Sequence, residues 1–179
     1  MNEDLRYPIG PFHKPAHVEP AERAEFIRQL ASVPEALRAA VNGLDDRQLD
    51  TPYRHEGWTV RQVVHHLPDS HINAYVRFKL ALTEESPLIR TYEEALWAQV
   101  TEARSAPIEM SLALLEALHL RWVAALNTLP KEAFQRVFRH PDLGLMSIDQ
   151  QLAQYAWHGK HHVAHITSLR RRMRWGTAG

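Results

Sequence analysis

The stretch YAWHGKHHVAHITSL, residues 155 to 169, places four histidines in fifteen positions, and VRQVVHHLPDSH, residues 60 to 71, holds three more. Neutral imidazole suits divalent transition metals, so metal binding is the first chemistry these clusters raise. On a helix, residues advance about 100 degrees each. His158 and His162 then lie one turn apart, in line with Tyr155, Ile166, Leu169 and Met173 on an apolar stripe. His161 and His165 form the neighbouring line, available to orient the first pair or to reach solvent. In the earlier stretch, Val60, Val63, Leu67, Ala74 and Phe78 mark a buried face. His66 borders that face and His65 points well away, so His66 is the better inward ligand. Three imidazoles from two helices, with no fourth protein ligand evident, leave a position open for water or substrate. The bland alternative is a set of structural histidines at a core edge, with Trp58 and Trp157 as packing residues. A buried pair one turn apart is less ordinary, because each imidazole then needs partners for its nitrogens.

The elements that must position these residues read as helices. Pro8, Gly10, Pro11 and Pro15 make residues 1–19 an irregular arm lying on the body. Phe26, Leu30, Val33, Leu37 and Val41 predict a first helix over 20–42, bent at Pro34. The polar segment LDDRQLDTPYRHEG is a loop. A second helix runs from Trp58 or Thr59 to about Leu82, with a kink or local break at Pro68 that frees a carbonyl one turn earlier. One short helix, 91–101, is expected within the long crossover. A third helix covers 107–129, with Leu112, Leu115, Leu118, Trp122, Ala125 and Leu129 as its stripe. Pro141, Asp142 and Gly144 signal a turn. Ser147 then caps a fourth helix that continues to about Arg174. The expectation is an all-α four-helix bundle forming one domain over 20–175.

Composition narrows the chemistry further. The 21 basic and 21 acidic residues cancel, and the LRRRMR run at 169–174 suits a helix C-terminus, so no nucleic-acid surface is expected. Cysteine is absent, which removes disulfides, thiolate ligands and any protein thiol nucleophile. No signal pattern or membrane-length apolar run occurs, which gives the expectation of a soluble, cytoplasmic protein without a membrane partner.

Segments spread along the whole chain carry a family likeness: YPIG at 7–10, LDTPYRHEGWTVRQVVHHLPDSHINAYVRFKLALTEE at 49–85, HLRWVAAL at 119–126, HPD at 140–142 and YAWHGKHHVAHIT at 155–167. In these the chain resembles the DinB/YfiT-like family, described in part as metal-dependent hydrolases, and within it the YfiT-type branch related to bacillithiol S-transferases. The resemblance implies a DinB-like four-helix bundle of up-down-down-up connectivity, a homodimer, and one divalent ion per subunit held by three histidines; nickel and zinc both accept imidazole and water. The matching positions are His66, the second histidine of VVHH, and His158 and His162 in WHGKHH. Pro68 stands where the family often has alanine, and no ligand position departs from the pattern.

For activity, the resemblance implies first a metal-dependent S-transferase. A low-molecular-weight, bacillithiol-like thiol loses its proton at the metal and attacks an electrophile, so no protein cysteine is required. The alternative is a hydrolase in which metal-bound hydroxide attacks an amide or ester, with Asp69 and His165 as candidate catalytic bases. His161, His165 or Asp69 could instead fix the ligand tautomers. Arg77, Arg121 and Tyr75 are candidates for holding an anionic thiol. A non-catalytic, stress-associated metal-binding protein is the reading from a different class. A hollow lined by Trp58, Trp157 and residues 84–106 would favour an enzyme.

Overall fold

Two capping boxes set where the histidine-bearing helices begin. Thr59 Oγ1 accepts from the Gln62 N–H at 3.2 Å while Gln62 Oε1 accepts from the Thr59 N–H at 2.9 Å, opening α3, Val60–Thr83. Ser147 and Gln150 repeat the arrangement at 3.1 and 3.0 Å for α7, Ile148–Met173. Each cap contributes about 1 kcal/mol and fixes the phase of the helix behind it. In the computed structural model, which describes residues 4–176, two further long helices complete the frame: α1, Pro20–Val41, and α6, Glu109–Asn127. Residues 4–19 form turns and extended chain, with Trp157 Nε1 donating to the Gly10 carbonyl at 3.2 Å. The first three residues of the expected arm lie outside the described residues.

Contacts between helices give their directions. Arg23 meets Asp149 at 2.6 Å and Arg170 Nη1 donates to the Ala40 carbonyl at 2.9 Å, so α1 and α7 are parallel. His65 meets Ser111 at 2.7 Å and His71 meets His119 at 2.8 Å, so α3 and α6 are parallel. Arg38 pairs with Glu109 whereas the Leu30 carbonyl meets His119, which makes α1 and α6 antiparallel. His71 with His158 and Ala74 with Gln151 do the same for α3 and α7. The order is up-down-down-up. Each of α1 and α3 packs on both α6 and α7, so α1 sits diagonally across the bundle from α3, and α6 from α7.

The core divides into two apolar clusters with a polar layer between them. One holds Val33, Leu37, Val63, Leu67, Leu112, Leu115, Ile166 and Leu169; the other holds Leu30, Ala74, Phe78, Trp122, Leu126, Leu152 and Tyr155. Between Leu67 and Ala74 on α3 lies His71, between Leu115 and Trp122 on α6 lies His119, and between Tyr155 and Ile166 on α7 lie His158, His161, His162 and His165. The histidines thus form a stratum inside the bundle.

The connections depart from expectation in several places. A turn of helix, α2, Asp46–Leu49, sits in the segment read as loop, opened by a capping box between Asp45 and Gln48. The crossover holds two short helices, α4, Glu94–Trp97, and α5, Thr101–Ser105, instead of one over 91–101. A hairpin of β1, Val137–His140, and β2, Gly144–Ser147, closes one end of the bundle with Phe138 and Met146 buried. Four-residue strands carry too little alternation to be read from sequence. Helix α3 passes through Pro68 without a break.

Candidate metal centre

His66, His158 and His162 converge from α3 and α7, each offering a ring nitrogen within 4.8 Å of the other two. His66 Nε2 and His158 Nε2 stand 3.4 Å apart. A tetrahedral ion with bonds of about 2.1 Å holds its nitrogens about 3.4 Å apart, so this spacing suits one. His65, next in sequence, is buried on the other side of α3. Its ring meets Ser111 Oγ at 2.7 Å and the Ala106 carbonyl at 3.2 Å, so it ties α3 to α6 and stays out of the cluster.

Hydrogen bonds behind the cluster fix which nitrogens are bare. The carbonyl of Leu30 can only accept, so His119 Nδ1 donates to it at 2.7 Å. His119 Nε2 therefore accepts from His71 Nδ1 at 2.8 Å, and His71 Nε2 accepts from His158 Nδ1 at 3.1 Å. His158 Nε2 is left with a free lone pair facing His66. A second chain starts at the Arg6 carbonyl, which accepts from His165 Nε2 at 3.1 Å; His165 Nδ1 then accepts from His162 Nδ1 at 3.3 Å. His162 Nε2 is left bare in the same way. Both tautomers are those a ligand needs, and this is the arrangement second partners give to metal-binding imidazoles.

A proline supplies the anchor of the first chain. In a helix the Leu30 carbonyl would accept from the N–H four residues on, but that residue is Pro34, inside α1 and without an N–H. The freed oxygen is the one His119 uses. The sequence drew attention to the carbonyl that Pro68 frees in α3; the carbonyl engaged with the histidines is the one Pro34 frees in α1.

Burial keeps these rings neutral. It lowers His66, His119 and His165 to about 4, with smaller contributions to His66 from His161 and His165, and holds His71, His158 and His162 well below the usual histidine range. Neutral imidazole is the metal-binding form. Aromatic rings flank the cluster: Trp58 lies 4.7 Å from His66, and Tyr53 stacks on His165 at 4.0 Å.

The cluster forms one wall of a cleft of about 810 Å³ that continues past Ser70 and Tyr155 to Arg77, beneath Tyr92 and His140. Trp58 and residues 91–94 line it as expected, whereas Trp157 lies outside, stacked 4.4 Å from His161. His165 faces the cleft with both ring nitrogens engaged. Asp69 lies one turn from His66 but is absent from the cleft wall. Its half-buried carboxyl is raised to about 6, mainly by burial and then by Glu102. Arg121 is exposed over Tyr75, 5.9 Å from its ring centre, and neither residue lines the cleft. The sequence reading missed His71 and His119, though each occupies an apolar stripe position that a core residue would fill.

A diagonal up-down-down-up bundle with three facing imidazoles beside an open cleft defines a class of helical proteins with a candidate divalent-metal site. The chain belongs to the DinB superfamily, whose family model matches residues 29–166. It is 51% identical over 174 residues to a Bacillus licheniformis protein whose name assigns it provisionally to the metal-dependent hydrolases, covering 97% of this chain and 99% of that one. A Bacillus cereus relative named in the same way is 49% identical, over 96% of this chain and 99% of its own. The solved structure of YfiT from Bacillus subtilis, described as a probable metal-dependent hydrolase with an unusual four-helix bundle topology, superposes with a TM-score of 0.94. Its sequence identity is 49%, over 96% of this chain and 99% of that one.

Proposed function

We propose that the protein is a metal-dependent hydrolase that cleaves an amide or ester in the cleft, where His66, His158 and His162 together would hold one divalent ion. The observation that carries this reading is the pair of hydrogen-bond chains, from Leu30 and from Arg6, that leave two Nε2 lone pairs bare on the cleft floor. Nickel or zinc bound there would supply Lewis-acid activation of a water or carbonyl. The chain's own residues do the rest. His71 and His165 hold the rings of His158 and His162 in orientation. His165 has no nitrogen free to take a proton, so its part in this reading is orientation and not general base. Tyr53 and Trp58 restrict water at the mouth. Burial raises both Tyr155 and Tyr92 above the usual tyrosine range, so both hydroxyls stay protonated and can donate to a substrate oxygen. The relatives' names support hydrolysis over the thiol transfer that the sequence resemblance also implied.

The test is a panel of nitrophenyl esters and aminoacyl anilides assayed with nickel- and zinc-loaded protein, wild type and His162→Ala. A parallel assay supplies a small thiol and monochlorobimane. Hydrolysis that depends on metal and on His162 is the expected result. Thiol conjugation without hydrolysis would replace the proposal with a transferase, and neither activity would leave metal binding as the protein's role.

A further inference from the structure

At the end of the cleft away from the histidines lies a buried cation without a counterion. Arg77 is 8% exposed and lines the cleft. It follows His66 on α3 by eleven residues, three turns on the same face and about 16 Å along the axis. Its Nη2 donates to the Arg90 carbonyl at 3.1 Å, its Nε is buried with no partner, and among the described residues it takes part in no ion pair. The other two buried arginines each make three hydrogen bonds. Arg61 bonds Asp50, Asp46 and the Ala106 carbonyl, and Arg170 donates to the carbonyls of Ala40, Asn42 and Gly176. The acidic residues nearest along the cleft, Glu93, Glu94 and Asp142, are exposed on its rim. A guanidinium removed from water with donors unused is unfavourable unless an anion completes it. Binding sites are where such cost is tolerated.

We propose that Arg77 is the anion subsite of the cleft, and that the substrate carries an oxyanion, carboxylate or phosphate, at one end and its reacting bond at the other, beside the histidines. This deepens the hydrolase reading and rests on it for the identity of the reacting bond. The guanidinium fork suits either oxyanion through paired charge-assisted hydrogen bonds. Tyr155, whose hydroxyl lies 3.4 Å from Ser70 Oγ, stands between the two ends.

The experiment is calorimetric titration of metal-loaded protein with pimelate and, separately, with inorganic phosphate, for wild type, Arg77→Gln, Arg77→Lys and His162→Ala. The expected result is that one probe binds wild type and loses about tenfold or more in Arg77→Gln, with Arg77→Lys between them. Loss for pimelate alone assigns a carboxylate, and loss for phosphate alone assigns a phosphate. The Arg77-dependent component should persist in His162→Ala, so the subsite stands even where hydrolysis is never found. Thermal melting of Arg77→Gln without ligand should be unchanged or higher, because an unpaired buried charge is removed. Equal binding by wild type and Arg77→Gln, no binding of either probe to wild type, or an Arg77→Gln protein that melts several degrees lower or fails to fold would each overturn the proposal.

Discussion

Replacing His71 with leucine tests whether hydrogen-bond direction, carried from α1 to α7, prepares the cluster. The change keeps an apolar group where the ring touches Tyr155 and His119, but cuts the chain at both ends. His158 Nδ1 loses its acceptor and His119 Nε2 its donor. Leaving two buried polar atoms unsatisfied costs about 1–3 kcal/mol each. For a chain of this size, about 2–4 °C per kcal/mol puts the fall in melting temperature at roughly 5–20 °C. His158 is then free to choose its tautomer, and losing such a partner typically weakens metal binding about 10–100-fold, or about 1.4–2.7 kcal/mol. Affinity is measured by zinc competition against a chromophoric chelator at a temperature where both proteins are folded. A paired variant separates direction from packing. His119→Gln can still donate to the Leu30 carbonyl through Nε2 and accept from His71 through Oε1, so it should bind zinc nearly as wild type does, whereas His119→Leu should resemble His71→Leu. Zinc affinity of His71→Leu within twofold of wild type would refute the reasoning, and equal damage from both His119 variants would assign the effect to packing.

Three other outcomes are expected. Gly159→Ala would drive its new Cβ against Val33, whose Cγ1 lies 2.8 Å away on α1. The net loss should be roughly 1–2 kcal/mol after the gain in helix propensity, seen as a lower melting temperature. Metal-free protein should lose stability as pH falls. Burial lowers His66, His119 and His165 from an unfolded value near 6.5 to about 4, so their contribution is complete above 6.5 and is lost between 6.5 and 4, and His71, His158 and His162 are lowered in the same sense. Asp69, raised to about 6, acts in the opposite sense over the lower part of that window, but it is one half-exposed group. Melting temperatures from pH 7.5 to 4.5 that stay flat or rise would contradict this sign. Deleting residues 1–9 removes the Arg6 carbonyl from His165 Nε2, and should weaken zinc binding several-fold with an unchanged far-UV spectrum.

The convergence of the three histidines was legible because its signal is local. His158 and His162 share a stripe with Tyr155 and Ile166, and His66 borders a stripe of its own. The long helices were legible for the same reason, and their ends were marked by Ser147 and by the Thr59–Gln62 pair. What sequence reading missed depends on neighbours far along the chain. His71 and His119 are single histidines on separate helices, 48 residues apart, and only the parallel packing of α3 on α6 brings them within hydrogen-bonding distance. A clue was present: His119 falls among Leu112, Leu115, Trp122 and Leu126, where the reading used Leu118, which is only half-buried. Pro34 was read as a bend, and its role in freeing the Leu30 carbonyl requires knowing what faces that carbonyl. Asp69 looked like a base because it lies one turn from His66, but that spacing does not decide which side of α3 faces the cleft. Arg77 stands out only once the partners of every other buried arginine are known.

The most direct test of the central claim is calorimetric titration of metal-stripped protein with nickel and with zinc, for wild type and for His66→Ala, His158→Ala and His162→Ala. The expected result is one ion per chain for wild type, with each substitution lowering affinity by orders of magnitude while the helical spectrum is retained. Wild-type protein that binds neither ion, or variants that bind as tightly as wild type, would contradict the three-histidine site.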